Sequence, residues 1–133
     1  PLLDRIDLHV EVTPVSYDEL ASKEMPAESS SEIMARVIKA REIQAERYKD
    51  APGVNANAQM SGRQVREFCE IGQAGRILVK KAMEKLQLSA RAYDRILKVA
   101  RTAADLHESE NIEIEHLAEA IHFRSLDREG WAR

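Results

Sequence analysis

Two arginine positions stand where chemistry on an oxyanion could be done. Arg5 lies in Leu2-Leu3-Asp4-Arg5-Ile6-Asp7, flanked by two carboxylates able to hold its guanidinium in place. Arg91 follows Ser89 by two residues, which puts it in the first turn of a helix capped by that serine, and Arg95 follows one turn later. A helix opening favours anions by about 0.3–1 kcal/mol, because its first N–H groups are unpaired and the dipole is positive there. Arg91 opposes that dipole, and Arg95 adds a like charge at i,i+4. A stable helix has no need of this arrangement. An arriving phosphate would resolve both conflicts, since free N–H groups and guanidinium forks would address the same oxygens. Plain alternatives stand beside this reading: Arg5 in a structural ion pair at a strand end, and Arg91 paired with Asp94 at i,i+3 on a solvated face. Arg101 is turned about 80° from the Arg91–Arg95 face and reads as an ion-pair residue.

Other chemistries find no support. The five glycines are scattered, and none has the spacing of a G-x-x-x-x-G-K-[ST] phosphate loop. No H-E-x-x-H occurs, and His9, His107, His116 and His122 lack a metal-ligand spacing supported by cysteines. No nucleophile elbow appears. The chain alone is expected to catalyse nothing and to hold no metal.

The elements that would position the arginines are mostly helical. Leu8-His9-Val10-Glu11-Val12 alternates apolar and polar before Pro14, which predicts one short β-strand. A lone strand has no sheet to join, and the sequence opens at Pro1 without an initiator Met. The expectation is a fragment whose strand belongs to another domain, or a strand paired between two copies. Residues 15–28 are expected to be a linker. Ser29-Ser30-Ser31-Glu32 has the form of a capping box and opens a helix running to about Asp50, with Ile33, Val37, Ala40 and Tyr48 along one stripe. Ala51-Pro52-Gly53 ends it. A second cap, Ser61-Gly62-Arg63-Gln64, opens a short helix burying Val65, Phe68 and Cys69. A helix over 73–86 is expected to bury Ala74, Ile77, Leu78 and Ala82.

The helix over 90–107 is the most legible: Tyr93, Ile96, Leu97, Ala100, Ala103 and Ala104 fall within about 100° of one another. A last helix, over 114–127, is expected to bury Ile114, Leu117, Ala118 and Ile121. The predicted architecture is all-α, a bundle of four to five helices behind one strand, with 1–14, 15–28 and 29–133 as its divisions.

Composition is consistent with this. The chain has 133 residues, 44% hydrophobic and 32% charged, enough for one domain with a real core. The net charge of −3 hides a basic middle: residues 61–107 carry 10 basic and 5 acidic side chains, between acidic flanks. That pattern suits a local anion site better than a surface coated for nucleic acid, and equally suits mixed solvated faces. Scarce aromatics argue against a base-stacking surface. No apolar run approaches the roughly 18 residues of a membrane span, no signal peptide is visible, and a lone cysteine fits a reducing cytoplasm.

The residues singled out also carry a likeness. Pro1-Leu2-Leu3-Asp4-Arg5-Ile6-Asp7-Leu8 resembles the segment that ends the nucleotide-binding core of magnesium-chelatase-like AAA+ ATPases. The run LSARAYDRILKVARTAADL from Leu88 to Leu106, with Ile112 and HLAEAIHFR at 116–124, resembles the C-terminal helical lid domain of the competence-protein ComM-like branch. Ala103 stands where a larger aliphatic is usual, and Asp94 is a second departure; neither is a proposed anion-binding residue. The resemblance implies that Arg5 is an arginine finger reaching, in trans, the γ-phosphate of ATP on a neighbouring subunit, with Asp4 as interface support. It implies that Arg91 is the sensor-2 arginine, with Arg95 a weaker candidate. It further implies ATP and Mg²⁺ as ligands of a full-length protein but not of this chain alone, a homo-oligomeric ring, and DNA as a possible substrate. A motor subunit of a porphyrin magnesium chelatase and a free-standing helical nucleic-acid-binding module are the competing expectations.

Overall fold

The computed structural model describes residues 2–23 and 27–124. Six α-helices follow one another: α1 Tyr17–Ala21, α2 Ser30–Arg47, α3 Gly62–Phe68, α4 Gln73–Leu86, α5 Ala90–Leu106 and α6 Ile114–His122, with 3-10 turns at Leu3–Arg5 and Asn57–Gln59. No strand occurs among the described residues, so the protein is all-α, as expected, without the predicted strand. The segment from Leu8 to Val12 alternates correctly but meets no second strand. One backbone bond, from His9 N–H to the Phe123 carbonyl at 2.9 Å, ties it to the end of α6.

Local signals set the helix starts. Ser29 accepts from the Glu32 N–H while the Glu32 carboxylate takes the Ser29 N–H, closing a capping box. Ser61 and Gln64 do the same for α3. So do Ser16 and Glu19, which start α1 inside the segment expected to be linker. Ser16-Tyr17-Asp18-Glu19 carries the same S-x-x-E signal, although only five helical residues follow it.

α5 is the axis of the bundle. It buries Ile96, Leu97, Ala100, Ala103 and Ala104 as its pattern predicts, with Ala92 buried in addition and Tyr93 half-buried, and packs against α6, α2 and α3. The core joins Val65 and Cys69 from the α3 region, Val79 of α4, Ile112, and Leu117 and Ala120 of α6.

Three expected faces are displaced. In α4 the buried residues are Gly75 and Val79, while Ile77 is exposed and Ala74 lies outside. The stripe turns because α6 crosses closely at Gly75, where an added Cβ would stand 2.7 Å from Leu117 Cδ1. In α6, His116, Leu117 and Ala120 are buried, while Ile114 and Ala118 face outward. The helix gives way at Phe123, and the expected stretch 125–127 lies outside the described residues. In α2 only Ala40 and Gln44 are buried, with Tyr48 just past its end; Ile33 and Val37 are exposed because no described element covers the first turns.

Candidate functional site

Ser89 caps α5 as predicted, its Oγ accepting the Ala92 N–H at 3.1 Å. Arg91 is therefore the second helical residue, in a first turn with no acidic side chain. It is exposed, and no described carboxylate pairs with it, Asp94 included. Arg95, one turn on, differs: it forms an ion pair with Asp7 and is three-quarters buried, its side chain 26% exposed. That pairing neutralises Arg95.

Arg5 ends the Leu3–Arg5 turn, exposed and without a carboxylate partner among the described residues. The expectation that Asp4 and Asp7 hold its guanidinium is corrected here. Asp7 goes to Arg95, and Asp4 lies 3.9 Å from Arg124 Nη2. Arg124, fully buried, donates from Nη1 to the Ile6 carbonyl and from Nη2 to the Leu3 carbonyl at 3.4 Å. His9 Nε2 also reaches the Leu3 carbonyl at 3.2 Å. A buried guanidinium needs such acceptors, because an unsatisfied charge away from water costs several kcal/mol. The turn bearing Arg5 is thus seated on the second turn of α5 and the end of α6. No hydrogen bond or ion pair joins Arg5 to Arg91.

Sequence reasoning missed a second set of charged groups. Arg47 grips Asp105 through two bonds of 2.7 Å. Asn57, almost fully buried, uses its whole side-chain amide: Oδ1 accepts from Tyr48 Oη at 2.7 Å and Arg47 at 3.0 Å, and Nδ2 donates to Thr102 Oγ1 at 3.0 Å and Asp105 Oδ2 at 2.9 Å. Its backbone N–H donates to Gln44 Oε1 at 2.9 Å. Arg101 reaches Asp105 at 3.3 Å and also bonds the Ser109 and Glu110 carbonyls, the ion-pair role its rotation suggested. Bonding to Asp105 raises the Arg47 pKa, and burial pushes Tyr48 up to about 12 and Cys69 up to about 11. Arg47, Asn57 and Asp105 hold one another, with Arg101 joining through Asp105, so the set is a clamp between α2, α5 and the intervening turn. The sequence signal was Asp105 itself, a carboxylate at i,i+4 from Arg101 on α5.

His107 and His116 form a further pair: His116 Nδ1 accepts the Glu113 N–H at 3.0 Å, and its Nε2 lies 3.1 Å from His107 Nδ1. No cluster of three or more metal-ligating side chains occurs among the described residues, and no helix there is long and apolar enough to cross a membrane.

Comparison with known proteins bears on this arrangement. The family described as magnesium chelatase, subunit ChlI C-terminal, matches residues 27–124. Competence protein ComM of Haemophilus influenzae is 38% identical over 128 residues, covering 96% of this chain and 24% of that protein. Uncharacterized protein YifB of Escherichia coli is 37% identical over the same coverage. An uncharacterized protein of Mycobacterium tuberculosis is 34% identical over 124 residues, 93% of this chain and 24% of the relative. The chain thus spans about a quarter of the length of these relatives.

Proposed function

This chain belongs to the magnesium chelatase ChlI C-terminal family, and from that premise we propose that it is the lid segment of a ring-forming, ComM-like AAA+ ATPase motor working in the cytoplasm. In this reading Arg5 is an arginine finger acting on the γ-phosphate held by a neighbouring subunit, Asp4 supports that interface, and Arg91 is the sensor-2 residue. ATP with Mg²⁺ supplies the transferable phosphoryl group, and the phosphate loop that holds it lies in the longer polypeptide.

One observation carries the reading: Arg91 is an exposed guanidinium, without a partner among the described residues, at the second position of a capped helix. Ser89 occupies the Ala92 N–H, which leaves the earlier amides of α5 for an anion. A planar, always-charged fork suits the equatorial oxygens of a transferring phosphoryl group, where charge spreads in the transition state. Arg5 is likewise exposed, without a carboxylate partner among the described residues, at the end of a held turn. The fit extends to terminal phosphate oxygens only, since this chain has no loop to wrap a triphosphate.

The motor's substrate is proposed to be DNA on the strength of the ComM relative, named as a competence protein. The family description by itself equally suits a porphyrin-chelatase motor, which would use the same two arginines. The test replaces Arg5 by Ala in the longer polypeptide that carries the nucleotide-binding core. ATP turnover is expected to fall by about 10³ or more, the value of such an arginine in trans, while ATP binding survives. Mixing this variant with subunits that cannot hydrolyse ATP but retain Arg5 is expected to restore part of the turnover. Unchanged turnover in the Arg5→Ala protein would sink the assignment.

A further inference from the structure

We propose that Arg124 and Arg95 are positioning residues: they clasp the segment carrying Arg5 onto α5 and α6, so that the helix opened by Arg91 and the guanidinium of Arg5 move as one lever. The inference rests on the finger and sensor reading above and gives it a mechanical link.

Three contacts make the clasp. Arg124 fastens both ends of the turn through the Leu3 and Ile6 carbonyls. Arg95 fastens the chain just past it through Asp7. The His9 N–H closes on the Phe123 carbonyl just beyond, at 2.9 Å. Arg5 lies between the two carbonyls that Arg124 holds, with the Arg95 anchor at Asp7 two residues on, and is itself exposed.

The chemistry of the anchors favours orientation over simple cohesion. Arg124 is 0% exposed, yet its acceptors belong to a segment 118 and 121 residues away. A cation so buried stabilises a bundle no better than a well-packed apolar side chain. What the guanidinium adds is a rigid planar fork that fixes two carbonyls in relation to each other, and so fixes the turn they close. Arg95 is in its turn one helical turn from Arg91 on the same face of α5, and Asp7 is two residues from Arg5. A shift of α5 on phosphate binding at Arg91 therefore reaches Arg5 through four residues of helix, one ion pair and two residues of chain.

The experiment measures kcat and KM for ATP in the longer polypeptide. Arg95→Asp and Asp7→Arg are each expected to lower kcat at least tenfold with KM nearly unchanged, and the double exchange to regain most of the loss. Arg124→Met is expected to lower kcat similarly, with Arg124→Lys intermediate. None of these is expected to add to the loss already caused by Arg5→Ala. If Arg95→Asp raises KM and Asp7→Arg does not repair it, Arg95 is a phosphate ligand and the clasp is wrong. If Arg5→Ala abolishes turnover while the clasp variants keep full kcat, the lever fails and the finger stands. Unchanged turnover in Arg5→Ala removes the finger reading and the lever with it. Amide hydrogen exchange on this chain tests the anchors independently of catalysis. Protection at His9 is expected to fall in Arg124→Lys with α5 unaffected, and undiminished protection there would overturn the role of Arg124.

Discussion

At the residue scale, neighbours three or four positions apart were legible and distant ones were not. Ser89 as the cap of α5 follows from its position before an apolar period, and Arg101 with Asp105 is an i,i+4 pair on one helix. Asp7, by contrast, was assigned to Arg5 because the two are adjacent in sequence, whereas it pairs with Arg95. Cys69 shows burial acting on a single group. Its thiol is held up at about 11 by desolvation, above the ordinary value of 9.0. The folded chain keeps its proton where the unfolded chain has lost it, so this contribution is whole below pH 9 and is lost as pH rises through 11. Urea unfolding is expected to give a midpoint that falls between those pH values, with the fall reduced in Cys69→Val. An identical alkaline slope in the variant would remove Cys69 as its source. The native thiol is also expected to resist alkylation at pH 8 until urea exposes it.

At the element scale, helix starts were set by chemistry within one turn, and helix faces by what lies against them. The S-x-x-E and S-x-x-Q boxes located α2 and α3 correctly, and the same pattern at Ser16 would have located α1. The apolar stripe of α5 was read correctly because α5 is surrounded, and packing on several sides leaves little choice of rotation. α4 has fewer neighbours, and its face is chosen by the close pass of α6 over Gly75. Gly75→Ala is a direct measure of that pass. Helix propensity alone favours alanine by about 1 kcal/mol. The new methyl would meet the Cδ1 of Leu117, which is fully buried and must shift to admit it, and such overpacking costs about 1–3 kcal/mol. The expected result is a net loss on the order of 1 kcal/mol in chemical denaturation. A gain would mean that α4 and α6 separate more readily than their contact suggests.

At the scale of the whole molecule, the polar clamp and the clasp define two different unions. The clamp ties α2, the Asn57–Gln59 turn and α5 through Asp105, which is completely buried. Asp105→Asn keeps the shape but leaves Arg47 and Arg101 without their counter-charge. Breaking a buried pair from one side is expected to cost about 3–5 kcal/mol, read as a lowered urea midpoint with unchanged slope. Replacing Arg47 by Met in the same protein is expected to return part of the loss, since one of the stranded cations is then gone. A cost below 1 kcal/mol would mean that water enters and the clamp is open. The clasp joins the Arg5 turn to the bundle without contributing to its core, whose first residue along the chain is Tyr48.

By itself the sequence determined the helical class, the caps, the exposed cation at the opening of α5 and the want of a phosphate loop, because each depends on residues within one or two turns of each other. Which guanidinium is spent on a partner was decided only by the tertiary structure. Arg95 and Asp7 are 88 residues apart and Arg124 and Ile6 are 118 apart. No local rule reaches that far; such pairs exist only once packing has brought the segment from Leu3 to Asp7 beside Arg95 and Arg124.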